Sequence, residues 1–218
     1  MPGFARLLLV FALLTTTVTS SLFAQKGMND KDRTLFTEGI MKERRQKDDE
    51  MRTSDKSPIA EEEKADFKGL RYFQPKPKYR VTAELRRSDD PMTFKMKTTT
   101  DRLPEYRLYG EAVFQLNGKT RTLEVYQNVE LTKKPGYADY LFIPFNDLTN
   151  GKKTYGGGRF IDARIPDGDT LVIDFNSAYN PYCAYNHKYS CPIPPENNQL
   201  DTKVRAGEKV FHKKGTTH

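Results

Sequence analysis

The residues best suited to chemistry are two carboxylates and an arginine on predicted strands in the second half of the chain. Asp162 follows Arg159 in the segment RFIDAR, and Asp174 ends the segment LVID. A short connection predicts that these strands are antiparallel neighbours, which would bring both aspartates to one end of the sheet. Adjacent carboxylates can share a proton, bind a metal ion or pair with an arginine. Asp174 and Asn176 can equally cap loop backbone, so both interpretations remain open.

Two cysteines lie close together in the same half of the chain. Cys183 and Cys191 enclose the residues AYNHKYS between two proline-marked turns. In an exported protein such a pair most simply forms a disulfide, and this is our prediction. Two alternatives stay open: a metal site with His187, which would need a further ligand from elsewhere, and a thiol nucleophile activated by that histidine. We predict no metal and no cofactor, because no complete ligand set or cofactor motif is present.

The loop around these cysteines is rich in tyrosine and asparagine. Both residue types suit recognition of a polar, ring-shaped ligand such as a sugar, through stacking and hydrogen bonds. The same composition suits a long loop that satisfies its own backbone groups, so this structural alternative also stays open. The predicted ligand-binding residues are Tyr155, Arg159, Asp174, Asn176, Asn180 and Tyr185.

Three consecutive glycines, Gly156 to Gly158, come directly before the strand that begins at Arg159. A phosphate-binding loop would add a Lys-Ser or Lys-Thr pair and a helix, and neither follows here. Glycines also permit backbone angles that other side chains forbid. We therefore predict a tight bend or bulge at the entrance to the strand.

Two helices are predicted before the strands. Apolar residues recur at helical spacing over 30–53, within a strongly charged stretch, so we expect an amphipathic helix that lies on the domain surface. A second, shorter helix is predicted with Ser57 as its cap, Pro58 in the first helical position and Gly69 as its stop.

The rest of the chain has the pattern of short strands. Asn117-Gly118 lies between two alternating segments and predicts a tight hairpin turn. The connections are too short for crossover helices, so the sheet should be mostly antiparallel. We predict a mainly β fold: an antiparallel β-sandwich or small barrel with two N-terminal helices. The predicted strands cover 79–85, 92–99, the hairpin 106–127, 138–144, 159–164 and 170–175.

The first residues predict export. Residues 1–24 combine Arg6, the apolar run LLLVFALL and a Ser/Thr-rich segment that ends at Ala24, which is the layout of a cleaved secretory signal. We expect a polar helical lead-in over 25–56, one β-rich domain over 57–212 and a disordered tail over 213–218. The mature protein should be periplasmic or secreted, with no transmembrane segment after cleavage.

The charge pattern argues against one class of partner. The chain has 36 basic and 29 acidic residues, and this mild excess is spread along mixed-sign blocks such as KERRQKDDE. Such blocks are typical of a solvated surface rather than a nucleic-acid track. We predict no nucleic-acid partner, and the sequence leaves the oligomeric state undetermined.

Several segments resemble the domain-of-unknown-function 1684 family. They are FKGLRYFQPKPKYRV, LFIPFNDLTNGKKTYGGGRFIDA, LVIDFNSAYNPYCAY, CPIPPENNQL and the closing AGE. The resemblance runs from about Thr34 to Val210. It implies no activity, and it assigns no role to any matching residue. It does imply a family whose bacterial members often carry a secretory signal.

Two functions follow from these residues. The first is an exported, non-enzymatic β domain that binds a small polar or glycan-like ligand at the Tyr/Asn-rich loop. The alternative is a hydrolase-like enzyme that uses Asp162 and Asp174, with or without a metal ion and with Arg159 as a further candidate catalytic residue. The enzyme would require both carboxylates to converge in an open cleft.

Overall fold

The structure is a computed structural model that describes residues 28–212. The predicted signal segment 1–24, the first residues of the lead-in and the predicted tail 213–218 lie outside the described residues. Eight strands form one sheet: β1 (Arg80–Arg87), β2 (Thr93–Lys95), β3 (Glu105–Leu116), β4 (Lys119–Asn128), β5 (Tyr140–Asp147), β6 (Arg159–Arg164), β7 (Thr170–Asp174) and β8 (Gln199–Leu200).

The sheet is antiparallel at every pairing except one, which confirms the predicted mainly β fold. The order is β6-β5-β4-β3-β1-β7, with β2 added to β3 and β8 parallel to β5. The sheet curls into a half-barrel, so the fold is closer to the barrel than to the sandwich of the prediction. β6 and β7 lie at opposite ends of this order. The prediction that they are hydrogen-bonded neighbours was therefore wrong.

The central hairpin matches its sequence signal. Leu116 pairs with Lys119 across a two-residue turn in which Asn117 has φ 51° and Gly118 has φ 76°. These positive angles match the right-handed twist of the flanking strands, which is why Asn-Gly is favoured there. The hairpin forms the middle of the sheet and orients the strands on both sides.

Helix α1 (Asp30–Thr53) occupies the predicted range. The Asn29 side chain caps it by accepting a hydrogen bond of 2.8 Å from the backbone N–H of Asp32. The helix buries Ile40, Arg44 and Met51 and leaves most of its other residues exposed. It lies on the domain surface, as the pattern indicates.

Helix α2 (Glu61–Lys64) is a single turn, shorter than predicted. The Ser57 hydroxyl accepts from the backbone N–H of Ile59 and donates to the carbonyl of Met51, so it joins α1 to the next segment instead of capping α2. The helix begins after Ala60, and its cap has no side-chain hydrogen bond. The residue that predicts a helix cap, Ser57, therefore stabilises the turn between the two helices.

The sheet buries apolar side chains on both faces. Leu141, Ile143 and Phe145 of β5 join the main core inside the half-barrel, while Phe142 joins a second cluster with Phe160 of β6. Successive residues of a strand point to opposite faces, so these two clusters lie on opposite sides of the sheet. This explains why β5 carries apolar residues on both faces over 141–145. The second cluster is the base of the candidate site.

Within residues 28–212, neither helix combines the length and apolar character that crossing a membrane would require.

Candidate functional site

A cleft of about 590 Å³ lies between α1 and the aromatic face of the sheet. One wall comes from α1, the base from β3, β5 and β6, and the remaining wall from the loop that carries the cysteines. Its lining is mostly aromatic and acidic. The lining residues are Glu43, Gln46, Lys47, Glu50, Tyr106, Leu131, Tyr140, Phe142, Phe160, Asp162, Tyr179, Pro181, Tyr182, Tyr189, Ser190, Cys191 and Pro192.

Asp162 is the carboxylate at the base of this cleft. Its Oδ1 accepts hydrogen bonds of 2.6 Å from the phenols of Tyr140 and Tyr179. Asp162 lies opposite Phe142 across the β5–β6 pair. Its Oδ2 has no hydrogen-bond partner in the part of the chain that the structure describes. The carboxylate is thus held in place by one oxygen, and the other is available to a ligand.

The two phenols remain neutral donors. Burial raises the pKa of Tyr140 above its usual range, and the adjacent Asp162 charge raises it further. Burial and the same carboxylate raise the pKa of Tyr179 in the same direction. A negative charge on either oxygen would be desolvated and would face a like charge, which disfavours ionisation. Both O–H groups therefore keep their hydrogen bonds to Asp162 at neutral pH.

Aromatic rings surround this carboxylate. The Phe160 ring packs edge-on against Phe142, with centroids 4.8 Å apart, and against Tyr179 at 5.9 Å. Tyr182 and Tyr189 of the cysteine loop contact each other at 5.3 Å and line the opposite wall. Edge-to-face contacts of this kind hold the rings in fixed orientations. The cleft therefore offers rigid aromatic surfaces beside a charged group.

Helix α1 adds charged side chains to the cleft. The Lys47 ammonium lies 2.7 Å from Oε1 of Glu208, a residue only 1% exposed, and 4.5 Å from the centroid of the Tyr179 ring. Glu43 and Glu50 are exposed on the same helix and also line the cleft. Lys47 thus anchors α1 to the domain, and Glu43 accepts a hydrogen bond of 3.3 Å from the Ser177 hydroxyl.

Cys183 and Cys191 lie close together as free, buried cysteines, so the structure does not contain the predicted disulfide. The backbone N–H of Cys183 lies 3.2 Å from Sγ of Cys191, and the Tyr155 phenol oxygen lies 3.7 Å from Sγ of Cys183. The hydrogen bond from the Cys191 thiol, with those from Tyr155 and Thr99, lowers the pKa of Cys183 to about 6. The same contact, together with burial, raises the pKa of Cys191.

The described geometry does not support a metal site formed by the cysteines and His187, or a thiol activated by His187. His187 is exposed, and it makes no hydrogen bond or ion pair with any residue that the structure describes. No group of three or more His, Cys, Asp or Glu side chains within residues 28–212 is arranged to hold a metal ion. The side chains that contact the Cys183 thiol are Cys191, Tyr155 and Thr99.

Arg159 is a structural residue rather than part of the cleft. Its guanidinium forms an ion pair of 2.7 Å with Asp147, and both side chains are fully buried. It also donates to the backbone carbonyls of Val204, Ala206 and Glu208. Burial lowers its pKa, and the Asp147 charge opposes that shift. Arg159 thereby fixes the C-terminal segment against β5 and β6.

Asp174 and Asn176 form the capping arrangement that the sequence left open. Oδ1 of Asp174 accepts from the backbone N–H and the side-chain amide of Asn176, at 2.8 Å each. Asn176 also bonds both backbone groups of Lys76. Asp174 does not line the cleft that holds Asp162, so the two carboxylates are not brought together as the enzyme hypothesis required.

The remaining predicted binding residues also have internal partners. The backbone N–H of Asn180 donates to Glu208 at 2.8 Å, and the buried Tyr185 phenol donates to the same carboxylate. Tyr155 contacts Cys183. None of the six predicted ligand-binding residues lines the cleft described above. Of the predicted catalytic candidates, Asp162 alone lies there.

The residues that the sequence analysis missed lie on the outward-facing positions of three strands. Tyr106, Tyr140, Phe142 and Phe160 occupy the outer face of β3, β5 and β6. A signal was present: these strands carry aromatic residues on the face opposite the core, where polar residues are expected if that face is solvated. The helix side chains have no such signal, because their position depends on how α1 docks.

The chain is similar to a protein family and to a solved structure. A family model described as "Protein of unknown function (DUF1684)" matches residues 65–209. The solution NMR structure of an uncharacterised protein from Haloarcula marismortui is similar, with 37% sequence identity and a TM-score of 0.64. The match covers 83% of this chain and 97% of that chain. No curated protein matches the chain.

Proposed function

The chain belongs to the DUF1684 family of proteins of unknown function, and we propose that it is a binding domain for a small, polar, ring-shaped ligand. The ligand would lie in the cleft between α1 and the aromatic face of β3, β5 and β6. This site differs from the loop site that the sequence predicts, although Tyr182 and Tyr189 of that loop form one of its walls.

The observation that carries this proposal is the environment of Asp162. One carboxylate oxygen is fixed by two phenols, and the other has no partner in the described residues. Binding sites for small molecules are typically concave and apolar, with a few placed polar groups that set orientation. A ring stacked on the exposed Tyr182 would present a hydroxyl or amine to Asp162 within this arrangement.

Ligand binding can be tested with a panel of sugars and small ring-shaped metabolites, screened by thermal shift and measured by isothermal titration. We expect at least one to raise the melting temperature and to bind with a one-to-one stoichiometry. Tyr182→Ala should weaken that binding, because Tyr182 is exposed and lines the cleft. Tyr109→Ala is the control, since Tyr109 packs on the core side of β3. Equal loss in both variants would contradict the proposal.

We also propose that this domain acts outside the cytoplasm. The support is the pattern of residues 1–24: Arg6, an apolar run and a Ser/Thr-rich approach to Ala24. An extracytoplasmic location would expose the cleft to small molecules of the cell envelope or of the medium, including glycan fragments.

A further inference from the structure

We propose that the ligand of this cleft is cationic, with an ammonium group held between the aromatic rings and Asp162. This inference rests on the proposed function and names the chemical class of its ligand. It follows from three features of the cleft: the sign of its charges, the electron density of its rings and the position of the one ammonium group already present.

The charges of the cleft are predominantly negative. Glu43, Glu50 and Asp162 line it, and none of the three forms an ion pair with another residue in the part of the chain that the structure describes. Lys47 is the cation among the lining residues, and Glu208 compensates it at 2.7 Å. A cationic ligand would neutralise this excess. An anionic ligand would meet three carboxylates of its own sign.

The rings are suited to a cation. Cations within about 6 Å of an aromatic centroid are attracted by the negative face of the ring. Tyr140 and Tyr179 both donate their O–H groups to the Asp162 carboxylate. This donation increases the electron density of the two rings, so a cation beside them is attracted more strongly.

Lys47 shows that this aromatic surface accommodates an ammonium group. Its Nζ lies 4.5 Å from the Tyr179 centroid, while its ion pair with Glu208 holds it at the edge of the cleft. Tyr182, which is 43% exposed, lines the same cleft and remains accessible to a ligand. An ammonium bound there would be close to the Asp162 oxygen that has no internal partner.

Matched pairs of probes test this inference directly. The pairs are choline with its neutral isostere, in which a tert-butyl group replaces the trimethylammonium group, and glucosamine with glucose. Titration calorimetry at low salt should give at least one cationic member an affinity about tenfold or more above its neutral partner, since about 1.4 kcal/mol corresponds to that factor. The difference should fall as salt is added, because exposed carboxylates are screened.

Charge-removing variants distinguish the effect of the cleft carboxylates from the effect of the overall charge of the protein. Asp162→Asn keeps a side chain that can accept from both phenols but removes the charge, and Glu50→Gln removes the charge of an exposed lining residue. Both should reduce the preference for the cation, with Asp162→Asn reducing it to about threefold or less. Glu38→Gln is the control, since it makes the same charge change on α1 away from the cleft lining.

Equal affinities for the cationic and neutral members of both pairs would overturn this inference and leave the proposed function in place. If Glu38→Gln reduces the preference for the cationic probe as much as Asp162→Asn does, this inference is also overturned and the proposed function stays in place. Binding of none of the four probes would overturn the inference. Failure of the whole panel of ring-shaped ligands would overturn the proposed function as well.

Discussion

Arg159 and Asp147 form an ion pair in which both side chains are fully buried. Removing one member of such a pair leaves the other charge without compensation in a medium of low polarity. The guanidinium also satisfies three backbone carbonyls of the C-terminal segment. The role of Arg159 is therefore to hold that segment on the sheet, in contrast to the ligand-binding role that its charge suggests.

We expect Arg159→Met to lower the free energy of unfolding by about 3–5 kcal/mol, because the Asp147 carboxylate would stay buried without a counter-ion. Urea denaturation followed by circular dichroism measures this change. Arg164→Met is the matched control on the same strand. Its pair with Asp139 is more than half exposed, so the expected loss is at most about 1 kcal/mol. Similar losses in the two variants would contradict the structural role.

The Cys183–Cys191 pair leads to a prediction about reactivity. The thiolate is the nucleophilic form, and the pKa of Cys183 is lowered to about 6. Cys183 is only 4% exposed, so its alkylation by iodoacetamide in reduced protein should be slow, and the rate should rise with pH through about 6 and level off above that value. Mass spectrometry of peptides identifies the labelled cysteine.

The Cys191→Ala variant removes the donor that contributes most to the low pKa of Cys183. Its alkylation profile should move upward, towards the ordinary cysteine value of about 8.5. Tyr155→Phe removes a weaker contact and should move the profile in the same direction by less. An unchanged profile in Cys191→Ala would contradict the arrangement of the two thiols.

At the scale of elements, the three glycines before β6 have different roles. Gly158 has φ 89°, and a Cβ added there would lie 2.6 Å from Cγ of Pro194 and 2.9 Å from the carbonyl oxygen of Phe145. At Gly156 the nearest atom would be 3.9 Å away. The predicted bend at the strand entrance thus depends on Gly158, which lets β6 begin beside the loop that ends in Pro194.

Gly158→Ala should lower the free energy of unfolding by more than about 2 kcal/mol, since a left-handed backbone and a close contact both disfavour a Cβ. Gly156→Ala should change it by less than about 1 kcal/mol. Thermal and chemical denaturation of the two variants, compared with the wild type, measure the difference. A Gly156 variant as unstable as the Gly158 variant would show that the bend needs both glycines.

At the scale of the whole molecule, α1 completes the cleft. The helix is anchored by Arg44, which donates to the carbonyls of Phe73 and Asn176, and by Lys47, which pairs with the buried Glu208. The contacts with Asn176 and Glu208 join residues more than a hundred positions apart in the chain. The aromatic face of the sheet and the acidic face of α1 form one site only because this docking is specific.

The pattern of residues 1–24 leads to a prediction about export. The mature protein should begin at Gln25, because the apolar run and the Ser/Thr-rich segment end at Ala24. Intact-mass measurement of protein from the periplasmic or secreted fraction checks this. Leu9→Arg interrupts the apolar run and should retain the uncleaved chain in the cytoplasm. A full-length chain beginning at Met1 in the exported fraction would contradict cleavage.

The sequence by itself determined α1, the central hairpin, most strand positions and the mainly antiparallel β class. These features depend on periodicity and turn chemistry within a few residues, as at Asn117-Gly118, where the local backbone requirement selects the residue types. It also indicated Asp162 and the tyrosine-rich loop. It gave no reliable guide to the length of α2, because the Ser57 hydroxyl bonds Met51 and Ile59 in the turn before that helix.

Only the tertiary structure decided which chemical groups meet. The order of strands separates β6 from β7, so Asp162 and Asp174 have different partners in spite of their short separation in sequence. The docking of α1 brings Glu43 and Glu50 to the same cleft as Asp162. Strand order and helix docking are set by the burial of many distant side chains at once, and no local pattern carries that information.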